Sequence, residues 1–318
     1  MSEERGVDGP ESGTGGTDGP GADRSELATN HSDLVAVSVA GMVAHPGFPG
    51  LPAEPYRLAA DGTPFLLPTY GGIVYNVSVG DRAFGWAADC IHPGVSVLQP
   101  DDNRNRGLNV FACVGNRARV MTGGAAGARG VVTGKSGRFS EQVIVHLPRE
   151  ARTRMAVDDQ ILIRAEGVGL SLADHPEVTL RGIAPELLAA LPTREDDAQV
   201  AFGVTAEIPA HLVGAGLGLT SHGGSLHLQS TDRALLAELG LDRLRLGDVV
   251  ALQDTDSRYN HGYLRGARAI GVVASTDGPR AGYGPGIAIL MTAPAGQLGS
   301  FDAPEARNTA PRIRPASV

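Results

Sequence analysis

The stretch AADCIHPGVSVL, residues 87–98, carries the side chains best suited to chemistry. Asp89, Cys90 and His92 fall within four residues, just before a Pro-Gly turn and an apolar run. Carboxylate, thiolate and imidazole are ligands for first-row metals, and a thiolate beside a histidine can also act as a nucleophile. The structural alternative is a buried cysteine next to an aspartate that caps a turn. The spacing indicates a functional loop and leaves that alternative open.

A second polar group is QDTDSRYNHGYLRGAR, residues 253–268, which follows a strongly apolar run. Polar side chains at the end of a strand are where binding sites commonly lie. Asp254 and Asp256 are two residues apart, so they point the same way on an extended chain and could share a cation or one arginine. His261 and Arg265 follow within the same segment. The alternative is that Asp-Thr-Asp-Ser is simply a turn.

A third group is STDGPRAGYGPGIAIL, residues 275–290. Its glycines, Gly284 among them, allow the backbone to approach a ligand closely. Arg280 is suited to an anion, and Tyr283 is suited to proton transfer. The alternative is a Gly-Pro-Gly hairpin between two strands.

Lys135 lies in GVVTGKSG, which superficially resembles a phosphate-binding loop. A true P-loop requires a glycine where this chain has Arg129, and a helix where it has the strand-like RFSEQVIVHL. Lys135 is nevertheless the only lysine in the chain, so it could supply a compact ammonium or a shifted pKa that arginine cannot. His45, His222 and His227 are weaker candidates because a lone histidine is more often a hydrogen-bonding residue than a ligand.

The rest of the sequence consists of short β-prone runs divided by turns. It has 44 glycines and 21 prolines among 318 residues, and only 4% aromatic residues. Two helices are predicted, over 184–192 and 231–241, the second capped by Thr231. We predict a mainly β fold with an α+β C-terminal part, in which a compact β-barrel or sandwich packs on a mixed domain. The expected boundaries are a disordered acidic tail (1–33), an N-terminal β domain (34–150), a C-terminal α+β domain (151–295) and a loose tail (296–318).

Charge and composition narrow the classes of function. The first 33 residues hold eight acidic and two basic side chains, so most of the net charge of −8 belongs to the tail. The nearly neutral remainder argues against a general nucleic-acid-binding protein. The sequence shows neither a secretory signal nor a long apolar run, and it has only two cysteines, which favours free thiols and a cytoplasmic location.

Three long segments resemble the family called domain of unknown function 4438. They are HPGFPGLPAEPYRLAADGTPFLLPTYGGIVYNVSVGDRAFGWAADCIHPGVSV, GGAAGARGVVTGKSG and GDVVALQDTDSRYNHGYLRGARAIGVVASTDGPRAGYGPGIAILMT, and the resemblance extends over about residues 35–295. The family pattern Asp-His-x-Glu-Pro-Gly-Val-Ser corresponds here to a segment with Cys90 and His92, and Tyr283 replaces a family histidine. The resemblance implies no activity, so the chemistry rests on the residues.

Together these groups predict a metal-dependent hydrolase or lyase that acts on a small polar or anionic metabolite. We expect the 89–96, 254–265 and 277–286 loops to meet around a divalent ion, zinc or manganese, that polarises a carbonyl or activates water. The alternative is a non-catalytic β-barrel module for ligand binding or assembly. We also expect a homo-oligomer. The predicted metal ligands are Asp89, His92 and Asp254; the catalytic residues are Asp256, Tyr283, Lys135 and Cys90; and the substrate-binding residues are Arg265, Arg280, His261 and Gly284.

Overall fold

The computed structural model describes residues 27–46, 56–137, 141–195, 199–221 and 224–306. The strands are β1 (Thr29–Asn30), β2 (Val37–Val43), β3 (Arg57–Leu58), β4 (Pro64–Phe65), β5 (Val95–Leu98), β6 (Arg117–Val120), β7 (Arg129–Ser136), β8 (Gln142–His146), β9 (Gln160–Ala165), β10 (Ser171–Leu172), β11 (Thr179–Leu180), β12 (Thr193–Glu195), β13 (Val200–Val204), β14 (Ala206–Ile208), β15 (Leu226–His227), β16 (Val249–Asp256), β17 (Gly262–Ser275), β18 (Gly286–Ala293) and β19 (Leu298–Asp302). The α-helices are α1 (Asp102–Phe111), α2 (Arg149–Arg152), α3 (Pro185–Ala190) and α4 (Arg233–Glu238), and short 3-10 turns cover Ala210–Leu212, Leu241–Arg243 and Pro304–Ala306.

Six of these strands form a closed antiparallel barrel in the order β2-β5-β8-β7-β6-β9. Strand β9 closes it by pairing with β2 from Val37↔Ala165 to Met42↔Gln160 and with β6 on its other side. Valines, isoleucines and alanines fill the interior. The small, β-branched residues that dominate the predicted strands suit this interior, since they pack on a pleated surface without aromatic bulk.

The C-terminal part is built on a sheet with the order β11-β18-β17-β16-β14, to which β15 adds by pairing with β18. Alternate residues of β16 enter two different cores: Val249 and Ala251 join one, and Val250 and Leu252 join the other. The sheet is therefore covered on both faces, which explains why its central strands are continuously apolar. A second, smaller sheet has the order β12-β13-β19.

The barrel packs directly on this sheet, where β7 contacts β17 and β18. Gly134 makes the close approach possible, because a Cβ atom there would lie 2.5 Å from the Cβ of Ala274. The glycine of the false phosphate-binding loop thus serves packing between two β layers. The predicted fold class, a barrel packed on a mixed C-terminal part, is confirmed.

The helices agree with the sequence in part. Both predicted helices form, as α3 and α4, but the N-cap of α4 is Asp232, whose side chain accepts from the Leu235 amide. Helix α1 was not predicted; it begins after Asp101, whose carboxylate accepts from the Arg104 amide. Its sequence DNRNRGLNVF is polar and contains a glycine, so apolar periodicity gives little signal. No helix of the described residues is long and apolar enough to span a membrane.

The expected domain boundaries stay a prediction, and the strands of the described residues can be placed against them. The barrel is completed by β9, which lies beyond the boundary predicted near residue 150. Residues 27–33, expected to belong to a disordered tail, include β1, which pairs with β10; the rest of that prediction, residues 1–26, lies outside the described residues. Residues 298–302, expected to be loose, form β19 in parallel with β13, because Leu298 is buried in the core; residues 307–318 lie outside the described part.

Candidate functional site

The Asp89–Cys90 corner lies between the segment at Pro68 and the segment that follows β17. The Asp89 amide donates to the Pro68 carbonyl (2.8 Å), and the Cys90 amide donates to the Asp277 carbonyl (3.1 Å). Cys90 has a φ of 57°, in the left-handed region that a non-glycine residue seldom occupies. Backbone contacts therefore hold this corner against the glycine-rich 277–286 loop, and they maintain a strained turn of the kind often found at functional sites.

The Asp89 carboxylate is a buried anchor for two arginines. Its Oδ2 lies 3.2 Å from Nη1 of Arg57 and 3.4 Å from Nη2 of Arg280, while only 1% of the aspartate side chain is exposed. A buried carboxylate needs such partners because an uncompensated charge in the interior is strongly destabilising. Asp89 thus holds guanidinium groups, rather than facing Asp254 as a metal ligand.

The Cys90 thiol is buried at the edge of the 277–286 loop. Burial raises its pKa above the ordinary range of a thiol, and the neighbouring Asp89 carboxylate raises it further. Its Sγ lies 3.8 Å from Oδ1 of Asp89 and 3.8 Å from the Tyr283 carbonyl oxygen. A nucleophilic cysteine needs a lowered pKa and access to substrate. The surroundings of Cys90 do not support the catalytic role predicted from the sequence.

His92 is a buried, neutral side chain. Its Nδ1 lies 2.7 Å from Oγ of Ser96, whereas its buried Nε2 has no hydrogen-bond partner among the described residues. Burial lowers the pKa of His92 to about 3, and His227 contributes to the decrease. Its ring stacks on Tyr70 with centroids 5.8 Å apart. His92 therefore packs against Tyr70, which lines the cleft described below, and does not itself line that cleft.

The 277–286 loop places Arg280 and Tyr283 beside the Asp89 corner. The Arg280 guanidinium lies over the Tyr283 ring, with its central carbon 3.8 Å from the ring centroid. Gly278 allows the loop to approach Asp89 closely, because a Cβ atom there would overlap Oδ1 of Asp89. The Nε of Arg280 is buried and has no hydrogen-bond partner among the described residues. The arginine is held in place by its carboxylate and by the aromatic face.

A small cleft opens at this point. Part of its lining consists of Arg280, Tyr283, Tyr70 and Cys90. The end of β7 and the segment before and within β15 supply the rest, which is Ser136, Gly137, Ala215, Gly216, Leu219, Ser225 and His227. Small residues and one leucine line much of the cleft, and the arginine gives it a cationic group.

His227 is positioned by the 277–286 loop. Its Nδ1 donates to the Gly284 carbonyl (3.0 Å), so the neutral ring carries its proton there and presents Nε2 as an acceptor. That Nε2 lies 3.4 Å from Oγ of Ser225. Burial lowers the pKa of His227, which favours the neutral ring. Gly284, predicted to bind substrate, thus contacts the histidine through its carbonyl.

The third predicted loop does not enter the cleft. Asp254 accepts from the Gly266 amide (2.7 Å) at the β16–β17 bulge, and Asp256 binds Arg258 through both carboxylate oxygens. The Arg258 guanidinium keeps the pKa of Asp256 below its usual value, against the opposite effect of burial. Asp254, Thr255 and Asp256 belong to the end of β16, so this stretch is a bulged strand, not a turn.

His261 and Arg265 lie in the same hairpin, away from the cleft lining. His261 is buried, with Nδ1 2.9 Å from Oγ of Ser257, and burial lowers its pKa to about 4. Arg265 is exposed. Tyr259, Tyr263 and Leu264 are also exposed in this hairpin. The expected homo-oligomer stays a prediction.

Lys135 is buried on β7, but its neighbour Ser136 lines the cleft instead. Successive side chains of a strand point to opposite faces. The Lys135 ammonium lies toward Gly182, since a Cβ atom built there would be 3.7 Å from its Nζ. Burial lowers the pKa of Lys135, and the Cys113 thiol partly opposes this shift. The single lysine belongs to the interface between barrel and sheet.

The structure does not bring the predicted metal ligands together. Asp89 is bound by arginines, His92 is buried beside Ser96, and Asp254 caps a bulge on another hairpin. Throughout the described ranges, no three His, Cys, Asp or Glu side chains are grouped in a way that could hold a metal ion. The sequence placed these residues by type and could not show that their polar atoms are already used.

Arg57, Tyr70, Ser136 and Ser225 were not identified from the sequence. Arg57 and Tyr70 are isolated in their segments, so only the fold reveals their proximity to Asp89 and His92. The sequence did contain a signal for the proximity of Ser225 and His227. They are two residues apart in Ser-Leu-His, and in an extended chain this spacing places both side chains on one face.

Comparison with known proteins gives a consistent result over most of the chain. The N-terminal model of the domain of unknown function DUF4438 matches residues 56–189, and its C-terminal model matches residues 190–310. A solved structure described as "Crystal structure of TM1086" is 38% identical, covers 90% of this chain and 99% of its own, and has a TM-score of 0.84. Comparison with curated proteins finds no match.

Proposed function

The chain belongs to the DUF4438 family, as its sequence motifs suggested, and from that premise we propose that the cleft around Arg280 is an enzyme active site for a small anionic metabolite. The observation that carries the proposal is the arrangement of Arg280, which is anchored by Asp89, stacked on Tyr283 and part of the cleft lining. A preorganised guanidinium loses little freedom when it binds a carboxylate or phosphate group.

His227 supports a catalytic role in addition to binding. Its tautomer is fixed by the Gly284 carbonyl, so Nε2 can accept a proton at neutral pH. The lowered pKa caused by burial keeps it in this state. Tyr283 lies beside it, with ring centroids 5.3 Å apart, as a second polar group. We assign anion binding to Arg280 and proton transfer to His227, and the metal ion expected from the sequence stays a prediction. Hydrolysis or elimination on an anionic substrate can use both of these functions.

The first test is binding. Titration calorimetry with a panel of small carboxylates and phosphate esters should give a ligand whose affinity falls on the order of 100-fold in Arg280→Gln, as expected for loss of a charged hydrogen-bonding partner. Arg265→Gln is the matched control, because this exposed arginine lies outside the cleft lining. Equal losses in both variants, or no loss in Arg280→Gln, would contradict the assignment.

The second test separates an enzyme from a ligand-binding module. The wild-type protein is incubated with the same compounds and with their esters, amides and lactones, and consumption is followed by proton NMR. Turnover that is lost in His227→Gln while binding is retained supports the enzyme. A ligand that binds through Arg280 and stays unchanged with every derivative would make the cleft a non-catalytic binding site.

A further inference from the structure

We infer that Ser225 is a nucleophile and that the substrate is an ester or thioester of a small carboxylic acid that also carries an anionic group. This inference rests on the proposed function, because it uses the same cleft and takes Arg280 as the anchor for the anionic group. It adds a covalent step, and it names the bond that is broken.

The geometry is that of a serine with its general base. Ser225 Oγ lies 3.4 Å from Nε2 of His227, and Nδ1 of the same ring donates to the Gly284 carbonyl at 3.0 Å. A nucleophilic serine needs a base that accepts its proton, and that base needs a third group to hold its tautomer. Here a backbone carbonyl takes the third position. The serine–histidine distance is long for a hydrogen bond, as is common before substrate binds.

The fold places both side chains toward the cleft. Leu226 stands between them on the strand and is fully buried in the core, so Ser225 and His227 point to the opposite face. Both residues line the cleft together with Arg280. Gly216 brings the facing loop against the Ser225 backbone, since a Cβ atom there would overlap the Ser225 carbonyl oxygen. The serine is therefore held firmly at the wall of a site that has an anion anchor.

The other serine–histidine pairs lack this arrangement. His92 with Ser96 and His261 with Ser257 are likewise close, at 2.7 and 2.9 Å. In those pairs it is Nδ1 that meets the serine, and Nε2 is buried without a partner among the described residues. None of these four residues lines the cleft. The pair formed by Ser225 and His227 is distinguished by its place in the lining of the cleft and by its oriented ring.

The reaction balances with water as the co-substrate. Ser225 Oγ attacks the carbonyl carbon and its proton passes to Nε2 of His227; the bond to the leaving alcohol or thiol then breaks, and that group takes the proton from His227. Water next attacks the acyl-serine, again giving a proton to His227, and the serine oxygen leaves with that proton. The products are the carboxylic acid and the free alcohol or thiol, and the protein returns to its starting state.

The inference is tested with a reporter-tagged alkyl fluorophosphonate, a neutral probe that phosphonylates activated serines and releases fluoride. Wild-type protein should be labelled, and peptide mass spectrometry should place the adduct on Ser225. Ser225→Ala should abolish labelling, and His227→Gln should slow it on the order of 100-fold or more. Ser136→Ala is the matched control, because Ser136 also lines the cleft and has no histidine assigned to it; it should label like wild type. Absence of labelling in wild type, or an adduct at another residue, would overturn the inference.

Two further measurements distinguish failure of the nucleophile assignment from failure of the anion-binding assignment. Ser225→Cys should be alkylated by iodoacetamide at position 225, and His227→Gln in that background should slow the reaction; equal rates would contradict a role for His227 as base even if an alanine variant were poorly folded. Wild-type protein saturated with an anion that binds in the cleft should be labelled more slowly by the fluorophosphonate, because both occupy the same cleft. Labelling without anion binding would refute the anchor alone, whereas anion binding at Arg280 without labelling would refute the nucleophile alone.

Discussion

Nη2 of Arg280 lies 3.4 Å from Oδ2 of Asp89, and this contact joins two loops that are far apart in the sequence. The carboxylate belongs to the strained corner at Cys90, and the guanidinium belongs to the glycine-rich loop that follows β17. Arg57 reaches the same carboxylate oxygen from a third segment. Asp89 therefore acts as a buried support that fixes the direction of the arginine at the cleft, so its effect on ligand binding passes through Arg280.

Replacing Asp89 should destabilise the protein strongly. Asp89→Asn leaves two arginines beside a neutral amide in the interior, and loss of one member of a buried pair typically costs about 3 kcal/mol or more. Asp256→Asn is the control; that aspartate binds Arg258, but its side chain is 22% exposed and that of Arg258 is 34% exposed. A pair that is partly open to solvent contributes less than a buried one, on the order of 1 kcal/mol. Urea unfolding measures both. Similar small decreases in the free energy of unfolding of the two variants would contradict the role of Asp89 as a buried partner of the two arginines.

The thiols should be inert in the folded protein. Cys90 and Cys113 are both buried and free, and burial raises the pKa of each. Because the thiolate is the reactive form, N-ethylmaleimide at neutral pH should modify neither residue over a period in which urea-unfolded protein is modified at both. Intact-mass spectrometry follows the reaction, and peptide mapping assigns it. Rapid modification of Cys90 in the native state would restore the cysteine as a candidate nucleophile.

Two of the three predicted loops do meet, and the reason lies in local sequence. Glycine-rich segments permit close approach, as at Gly278 beside Asp89, and a polar group at the end of a buried strand tends to face an open site, as Arg280 does. The general fold was also accessible from sequence, since short β-prone runs between turns predict a barrel with a mixed second part.

The remaining details depend on tertiary contacts. Asp254 and Asp89 are the same residue type, but one caps a β-bulge through Gly266 and the other binds arginines, and nothing in their immediate sequence distinguishes these uses. Lys135 attracted attention as the only lysine, yet strand alternation turns it away from the cleft that Ser136 lines. Which polar atoms are already satisfied is a property of the packed chain, and that property decides which candidates are available for chemistry.

Buried histidines should make the protein less stable as the pH falls. Burial lowers the folded-state pKa of His92 to about 3 and that of His261 to about 4, from an ordinary value of 6.5. Below pH 6.5 the unfolded chain binds protons at these rings and the folded chain does not, so acid favours unfolding. The stabilisation is fully present above about pH 7 and is lost as the pH falls toward the folded-state values.

His92→Gln isolates one of these contributions. Between pH 6 and 4, measured as the free energy of unfolding in urea, the variant should show a slope shallower than wild type by about 1 kcal/mol per pH unit, because one titrating group contributes at most about 1.4 kcal/mol per pH unit. Carboxylates titrate in the same range, but they are common to both proteins and cancel in the difference. His211→Gln is the control, since that histidine is exposed, and its slope should equal that of wild type. A wild-type slope in His92→Gln would mean that the ring is protonated in the folded protein. Its unpartnered Nε2 would then have to find an acceptor that its buried position beside Tyr70 does not supply among the described residues.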